Sequence, residues 1–269
     1  MSAQPAPGAW LEGIGVLGPG MPDWPAAARV LRGAARWENV PTVLPAPHGL
    51  PPAERRRMGS LVKLTLAVGL EASAQAGADP ATLPAVFSSS GGDGQNCHEI
   101  CQALASADRL ISPTRFHNSV HNAAAGYWGI ATHATPASNA LCAHDASFGA
   151  GLLEALCQLA AERRRVLLIA YDASYPEPLR SARPIPDAFA VALVLAPERG
   201  AAALARLSLA VGGGRADTLA DAALESLRTA IPAARSLPLL GQLARGGAGR
   251  VVLDYLDDTR LGVAVSPCP

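Results

Sequence analysis

The sequence predicts a layered α/β fold, and three stretches predict it. Val166-Leu167-Leu168-Ile169-Ala170 is a short, unbroken apolar run, the pattern of a strand buried on both faces. Residues 147–161 place Phe148, Leu152, Leu156 and Leu159 at three- and four-residue spacing, so one helical stripe faces a core. Residues 52–76 carry a broader helical face through Met58, Leu61, Val62, Thr65, Leu66, Val68 and Gly69. Helices that alternate with buried strands build an α/β layered domain.

The remaining elements follow in chain order. Residues 1–9 are Pro/Ala-rich and expected to be loose at their start. Trp10 to Leu17 reads as a first strand, ended by Gly18-Pro19-Gly20. Residues 23–52 hold Trp24, Trp37 and scattered prolines, which predicts irregular chain with short helices. The helix over 52–76 stops at Gly77; Leu83 to Ser88 is the next strand and Ser88–Gly94 the loop after it. A helix follows over Asn96–Ala107, and Ser112-Pro113 starts another, since proline at a first helical position gives up an N–H that has no partner there. Arg163, Arg164 and Arg165 stand where cations suit a helix C-terminus. Ala188–Leu195 is strand-like, Arg199 to about Val211 fits strand or helix, and Gly212-Gly213-Gly214 reads as a flexible link. Residues 217–230 form a helix, and residues 251–265 a hairpin turning at Asp257-Asp258.

Composition narrows the function classes. The 269 residues, 49% of them hydrophobic, suffice for one large core. Lys+Arg and Asp+Glu are 22 each, so there is no electrostatic footprint for nucleic acid or an anionic membrane. A charged fraction of only 16% suits a chain that buries surface against a partner. Cys97, Cys101, Cys142, Cys157 and Cys268 leave one over in any pairing, which fits a reducing cytoplasm. The start, Met-Ser-Ala-Gln-Pro-Ala-Pro, lacks the parts of a secretory signal, and no apolar run is long enough to span a bilayer.

Several segments in fixed order carry a family resemblance. Arg56-Arg57-Met58 leads into the run Leu64–Ala72; Ser112-Pro113 is followed by Asn122, Ala125 and Gly126; Pro186-Asp187-Ala188-Phe189 precedes Val191–Leu195 and Arg199-Gly200-Ala201. Together they resemble the N-terminal half of the β-ketoacyl synthases of the thiolase-like superfamily. The resemblance is strongest over residues 10–210. It implies a thiolase-like αβαβα architecture and a single domain over 1–269, with a shortened C-terminal half over 215–269. It also implies that the 112–130 segment lies at a dimer interface and lines an acyl tunnel, with Arg115, Phe116, His117, Asn118, Asn122, Tyr127 and Trp128 as the interface and tunnel residues.

The departures from the family bear on activity. Active synthases hold a cysteine in a sharp turn before a buried helix, where the helix dipole favours the thiolate. Counting forward from Gly126 puts that position at Asp145, and counting back from the Val166 strand puts it at Ala146; neither is a thiol. The family's two downstream histidine motifs are missing, and no histidine follows His144. The pattern resembles the chain-length-factor subunits of aryl polyene-type clusters, which implies a non-catalytic partner for a β-ketoacyl synthase in fatty acid or polyketide biosynthesis. The partner synthase, its acyl chain and an acyl carrier protein near Arg55, Arg56 and Arg57 are the expected contacts, with no cofactor. Two other readings remain: an acyltransferase or thioesterase using Cys142 with His144 as base, and a homodimeric acyl-binding module.

Other conspicuous residues have plainer explanations. Cys97-His98-Glu99-Ile100-Cys101 lacks the second cluster that zinc needs, and His117 with His121 lacks an acidic partner, so no metal site is expected. Gly91-Gly92-Asp93-Gly94 lacks the full spacing of a phosphate loop and reads as a bend.

Overall fold

The computed structural model describes residues 7–47 and 49–268; the first six residues, where a loose start is expected, lie outside the described residues. The strands are β1 (Gly8–Leu17), β2 (Ala85–Ser88), β3 (Ser138–Leu141), β4 (Val166–Asp172), β5 (Phe189–Ala196), β6 (Ala205–Gly212), β7 (Gly249–Asp254) and β8 (Arg260–Pro267). The helices are α1 (Trp24–Leu31), α2 (Pro52–Arg57), α3 (Ser60–Gln75), α4 (Gly94–Ala105), α5 (Pro113–His117), α6 (Ala123–Thr132), α7 (Ser147–Glu162), α8 (Leu179–Ala182), α9 (Ala222–Ala230) and α10 (Leu237–Arg245).

The strands form one eight-stranded sheet in the order β3-β2-β4-β5-β1-β6-β8-β7. β2 runs parallel to β3 and β4, and the remaining pairings are antiparallel. One core lies between α3, α6 and the sheet, with Leu64, Val68, Phe87, Trp128 and Ile169 in it. The other joins α7 and α10 to both ends of the sheet: Phe148, Leu152 and Leu156 share it with Val191, Leu193, Leu207, Val251 and Val263. α7 and α10 are thus a middle helical layer, and the expected αβαβα layering appears as one sheet that continues from β1 into β6-β8-β7. The far face of that continuation is open, with Arg206, Ala210, Ala264 and Ser266 exposed.

α3 lies directly on β1 because the strand presents glycines to it. A Cβ at Gly13 would strike the carbonyl oxygen of Ala72, and one at Gly15 that of Val68. β6 pairs with β1 only over Gly8–Leu11, so later N–H groups on that edge need other acceptors. α3 supplies them: Gln75 Oε1 accepts from Ile14 N at 2.7 Å and Glu71 Oε2 from Val16 N at 2.9 Å. Burial pushes the Glu71 carboxyl above its ordinary pKa, against the pull of its backbone hydrogen bonds to Trp24 and Val16.

Four elements differ from the sequence expectation. The single helix over 52–76 is two helices, because Met58 and Gly59 are extended at ψ 146° and 175°. The Asp93 carboxylate occupies the space a side chain at residue 59 would need. β3 has no counterpart in the sequence reading; it is four residues long with polar Ser138 and Asn139, too short to show a period. The ambiguous segment after Arg199 is strand β6, and Gly212 ends it instead of opening a link. α10 was not anticipated, its start being masked by Pro232 and Pro238, both of which sit in first-turn positions where proline is tolerated.

The two sheet edges are treated differently. Asp217 N donates to Val252 O at 2.8 Å and its Oδ2 accepts from Val252 N at 2.9 Å, which blocks β7. At the other edge Ser138 and Asn139 of β3 are exposed.

Candidate functional site

β3, a short turn and the buried helix α7 make a strand–turn–helix elbow. Residues His144–Ala146 form its one turn of 3-10 helix, and His144 tightens it at φ 50°, a left-handed value uncommon outside glycine. The two counted nucleophile positions both fall in this turn. Ala146 is buried and offers only a methyl group. Asp145 is held by two arginines: Arg183 Nη2 donates to its Oδ1 at 2.5 Å and Arg235 Nη2 to its Oδ2 at 3.1 Å. Burial draws the Asp145 carboxyl upward, yet the Arg183 hydrogen bond and the charges of Arg235, Arg183 and His144 outweigh it and hold the pKa below the ordinary value.

The ion pairs continue inward. Arg235 Nη1 and Arg228 Nη1 both donate to Asp254 Oδ2, at 2.9 and 2.8 Å, and Arg228 grips Glu225 through Nε and Nη2 at 2.8 and 2.7 Å. Three arginines and three carboxylates therefore tie the elbow to α9, β7 and the segment before α10. A site built this way is charge-balanced and rigid, with its carboxylate already satisfied.

Cys142 and His144 are each engaged elsewhere. Cys142 Sγ donates to Ser90 O at 3.1 Å, while His144 Nε2 stands 2.8 Å from Arg183 Nη1. A thiol–imidazole dyad needs the two side chains within hydrogen-bond reach of each other, and the partners in place are different ones.

A second hub lies beneath the elbow and was not foreseen. Asp172, at the end of β4 and 2% exposed, accepts from Ser90 N at 2.9 Å and Ser90 Oγ at 2.6 Å on Oδ1, and from Ala233 N at 2.9 Å on Oδ2. Its only sequence signal is an acidic residue closing an apolar strand. Burial raises its pKa from 3.8 to about 6, against the lowering effect of these hydrogen bonds and of Arg183. A folded-state value above the unfolded one means that the fold favours the protonated form. The stability from this group is fully present below the unfolded pKa of 3.8 and is lost as pH rises through about 6. Asp172→Asn places an amide donor against Ala233 N–H and does not titrate. Thermal melts should show it less stable than wild type by about 1–3 kcal/mol, with a wider gap at pH 4 than at pH 7.5.

The glycine loop before α4 is explained by packing: Gly91 and Gly94 leave room for the Tyr175 ring. Cys97 and Cys101 share α4, all cysteines are unpaired, and no group of three or more His, Cys, Asp or Glu among the described residues could hold a metal ion.

The sequence model of the β-ketoacyl synthase N-terminal domain matches residues 27–243. The chain belongs to that family. Solved structures of the family's fold cover nearly all of it. A ketosynthase (ApeO) in complex with its chain length factor (ApeC) from Xenorhabdus doucetiae matches at 26% identity and TM-score 0.71, over 95% of this chain and 98% of the other. The ishigamide ketosynthase/chain length factor matches at 15% identity and TM-score 0.72, over 97% and 99%. A type II polyketide acyl-carrier protein in complex with its ketosynthase, AntDE:AntF, matches at 12% identity and TM-score 0.73, over 98% and 100%. The last two show likeness of fold alone. The comparison with curated proteins gave no match. No helix of the described residues is long and apolar enough to cross a membrane.

Within this family fold, the seven residues expected at the interface and tunnel divide between two environments. Phe116 is 69% exposed, His117 and Asn122 are exposed, and Arg115 is partly exposed in an ion pair with Glu99. Asn118, Tyr127 and Trp128 point inward. Asn118 donates from Nδ2 to Arg57 O at 2.7 Å and accepts at Oδ1 from Tyr127 Oη at 3.1 Å. Trp128 packs on Gly69, where a Cβ would lie 2.5 Å from its ring. Tyr127 and Trp128 thus support the surface on which Phe116 and His117 stand, and His117 meets Tyr127 edge-on at 6.4 Å.

Proposed function

We propose that this chain, a single β-ketoacyl synthase-like domain, is a chain-length-factor-like subunit. It would pair with a β-ketoacyl synthase in fatty acid or polyketide biosynthesis of the aryl polyene type and carry out no condensation itself. The observation that carries the reading is the turn before α7, where Asp145 is neutralised by Arg183 and Arg235 and Ala146 has no reactive group. A thiolate nucleophile is required for acyl transfer in synthases, and a satisfied carboxylate with a methyl neighbour supplies none. The ApeO–ApeC likeness supports the pairing, since that structure contains a chain length factor with its ketosynthase.

The surface supports a partner. Of the eleven exposed large hydrophobic residues among the described ones, five, Leu104, Leu110, Phe116, Val120 and Ile130, fall within residues 104–130. Apolar side chains concentrated in one tenth of a chain mark an interaction face, and the open edge of β3 offers unpaired backbone groups to a second sheet. A heterodimer formed here would place Phe116 against the partner, in reach of its acyl tunnel, with Arg115, His117, Asn118, Asn122, Tyr127 and Trp128 shaping that boundary. The mechanism is steric: a rigid aromatic ring ends the space available to the growing chain. The exposed arginines of α2, Arg55, Arg56 and Arg57, form the surface for an acidic acyl carrier protein. Unpaired cysteines suit a cytoplasmic setting.

Co-expression with the cognate synthase should yield a stable heterodimer. In that complex Phe116→Ala should lengthen the products by one or more condensation units, read by mass spectrometry of the released acyl chains. An unchanged length distribution would remove Phe116 from the boundary.

A further inference from the structure

The open edge of β3 borders a groove of about 570 Å³ lined by the strand itself, His121, Asn122 and Glu154. Glu154 projects from α7 and is held in place by two carboxamides: Asn139 Nδ2 and Gln158 Nε2 donate to its Oε1 at 2.9 and 3.0 Å. An ionised carboxylate has about four acceptor positions, so its second oxygen, Oε2, is left to the groove. No cation of the described residues pairs with it. An oriented carboxylate beside a free strand edge asks for a cationic donor.

We propose that this groove receives an arginine side chain of the synthase subunit, and that Glu154 selects that subunit over others. The inference rests on the heterodimer reading above. A guanidinium suits the site better than an ammonium because it presents five donors in a planar fork. Pairing across the β3 edge supplies general adhesion through backbone hydrogen bonds. Glu154 then supplies discrimination, since a partner lacking the cation would leave a carboxylate desolvated and unpaired.

The test measures the dissociation constant of the purified chain with its cognate synthase, for wild type and the variants Glu154→Gln, Glu154→Lys and Glu154→Asp. The glutamine variant can still accept from Asn139 and Gln158, so its thermal melt should match wild type. Its affinity should fall about tenfold or more, the lysine variant should fall further, and aspartate should recover part of the loss. Added salt should weaken the wild-type complex more than the glutamine variant. Wild-type heterodimer with a glutamine variant that binds within twofold overturns the role of Glu154 and leaves the heterodimer standing. No wild-type heterodimer overturns both. A homodimer that depends on Glu154 assigns the groove to a second copy of this chain and overturns the synthase as its occupant.

Discussion

Gly15→Val is expected to keep the chain from reaching its native state, with soluble yield lost and no cooperative thermal transition in what remains. A Cβ at this position would overlap the Val68 carbonyl oxygen and lie 2.9 Å from the Val68 carbonyl carbon, so the obstacle is helix backbone, not a side chain that can turn away. Moving α3 off β1 would also pull Gln75 and Glu71 from the Ile14 and Val16 N–H groups, leaving buried donors unpaired. Overpacking combined with lost buried hydrogen bonds exceeds about 4 kcal/mol, a large share of what a domain has. Gly126→Ala is the matched control, because a Cβ there meets nothing within 4 Å and alanine favours the interior of α6.

Arg228→Ala is expected to cost about 1–3 kcal/mol, the range for removing hydrogen bonds to charged groups. The Arg228 side chain is 8% exposed and pairs with Glu225 and Asp254 together, so its removal leaves Glu225 without a cation while Asp254 keeps Arg235. Hydrogen bonding to Glu225 first, and then to Asp254, raises the arginine's own pKa against the effect of burial, so it is charged at any working pH. Urea unfolding should show the lower midpoint with an unchanged slope. The gap between wild type and variant should narrow at acidic pH: Glu225 is held below its ordinary pKa by Arg228 first, then by Leu219 N–H and Arg235. A depressed folded-state value means that this stabilisation is present above the unfolded pKa and lost as pH falls, so wild type and variant converge in acid. A midpoint within experimental scatter of wild type at neutral pH would show the network to be dispensable.

Both predictions rest on features of unequal visibility in the sequence. The buried strand Val166–Asp172, the stripe of α7 and the C-terminal hairpin could be read directly, because their burial is written as period or as an unbroken apolar run. The glycines of β1 could be seen as residues but not as a helix seat, since that requires knowing which helix lies across the strand. β3 was invisible: an edge strand of four residues, half polar, carries too little pattern. Both counted positions, Asp145 and Ala146, fall in the turn before α7, and neither is a thiol. What holds that turn was not legible, because Asp145, Arg183, Arg235, Asp254 and Arg228 are separated by up to 109 residues and meet only after folding. Tyr127 and Trp128 stand with Phe116 in the 112–130 segment that the family resemblance assigns to interface and tunnel, and the turn of α6 sends them inward. Asp172 had no signal beyond its position, since its donors come from Ser90 in the loop after β2 and from Ala233 in the turn before α10.

The central proposition is that the elbow before α7 belongs to a subunit that shapes chemistry done by its partner. The most direct measurement is decarboxylative condensation of a malonyl-carrier thioester with an acyl primer, followed by mass spectrometry for the chain alone, the heterodimer, and the heterodimer with the synthase's nucleophilic cysteine alkylated. The prediction is turnover only in the unmodified heterodimer, with no acyl adduct on this chain. Condensation by the chain alone, or an acyl adduct on it that disappears in Cys142→Ser, would contradict the account.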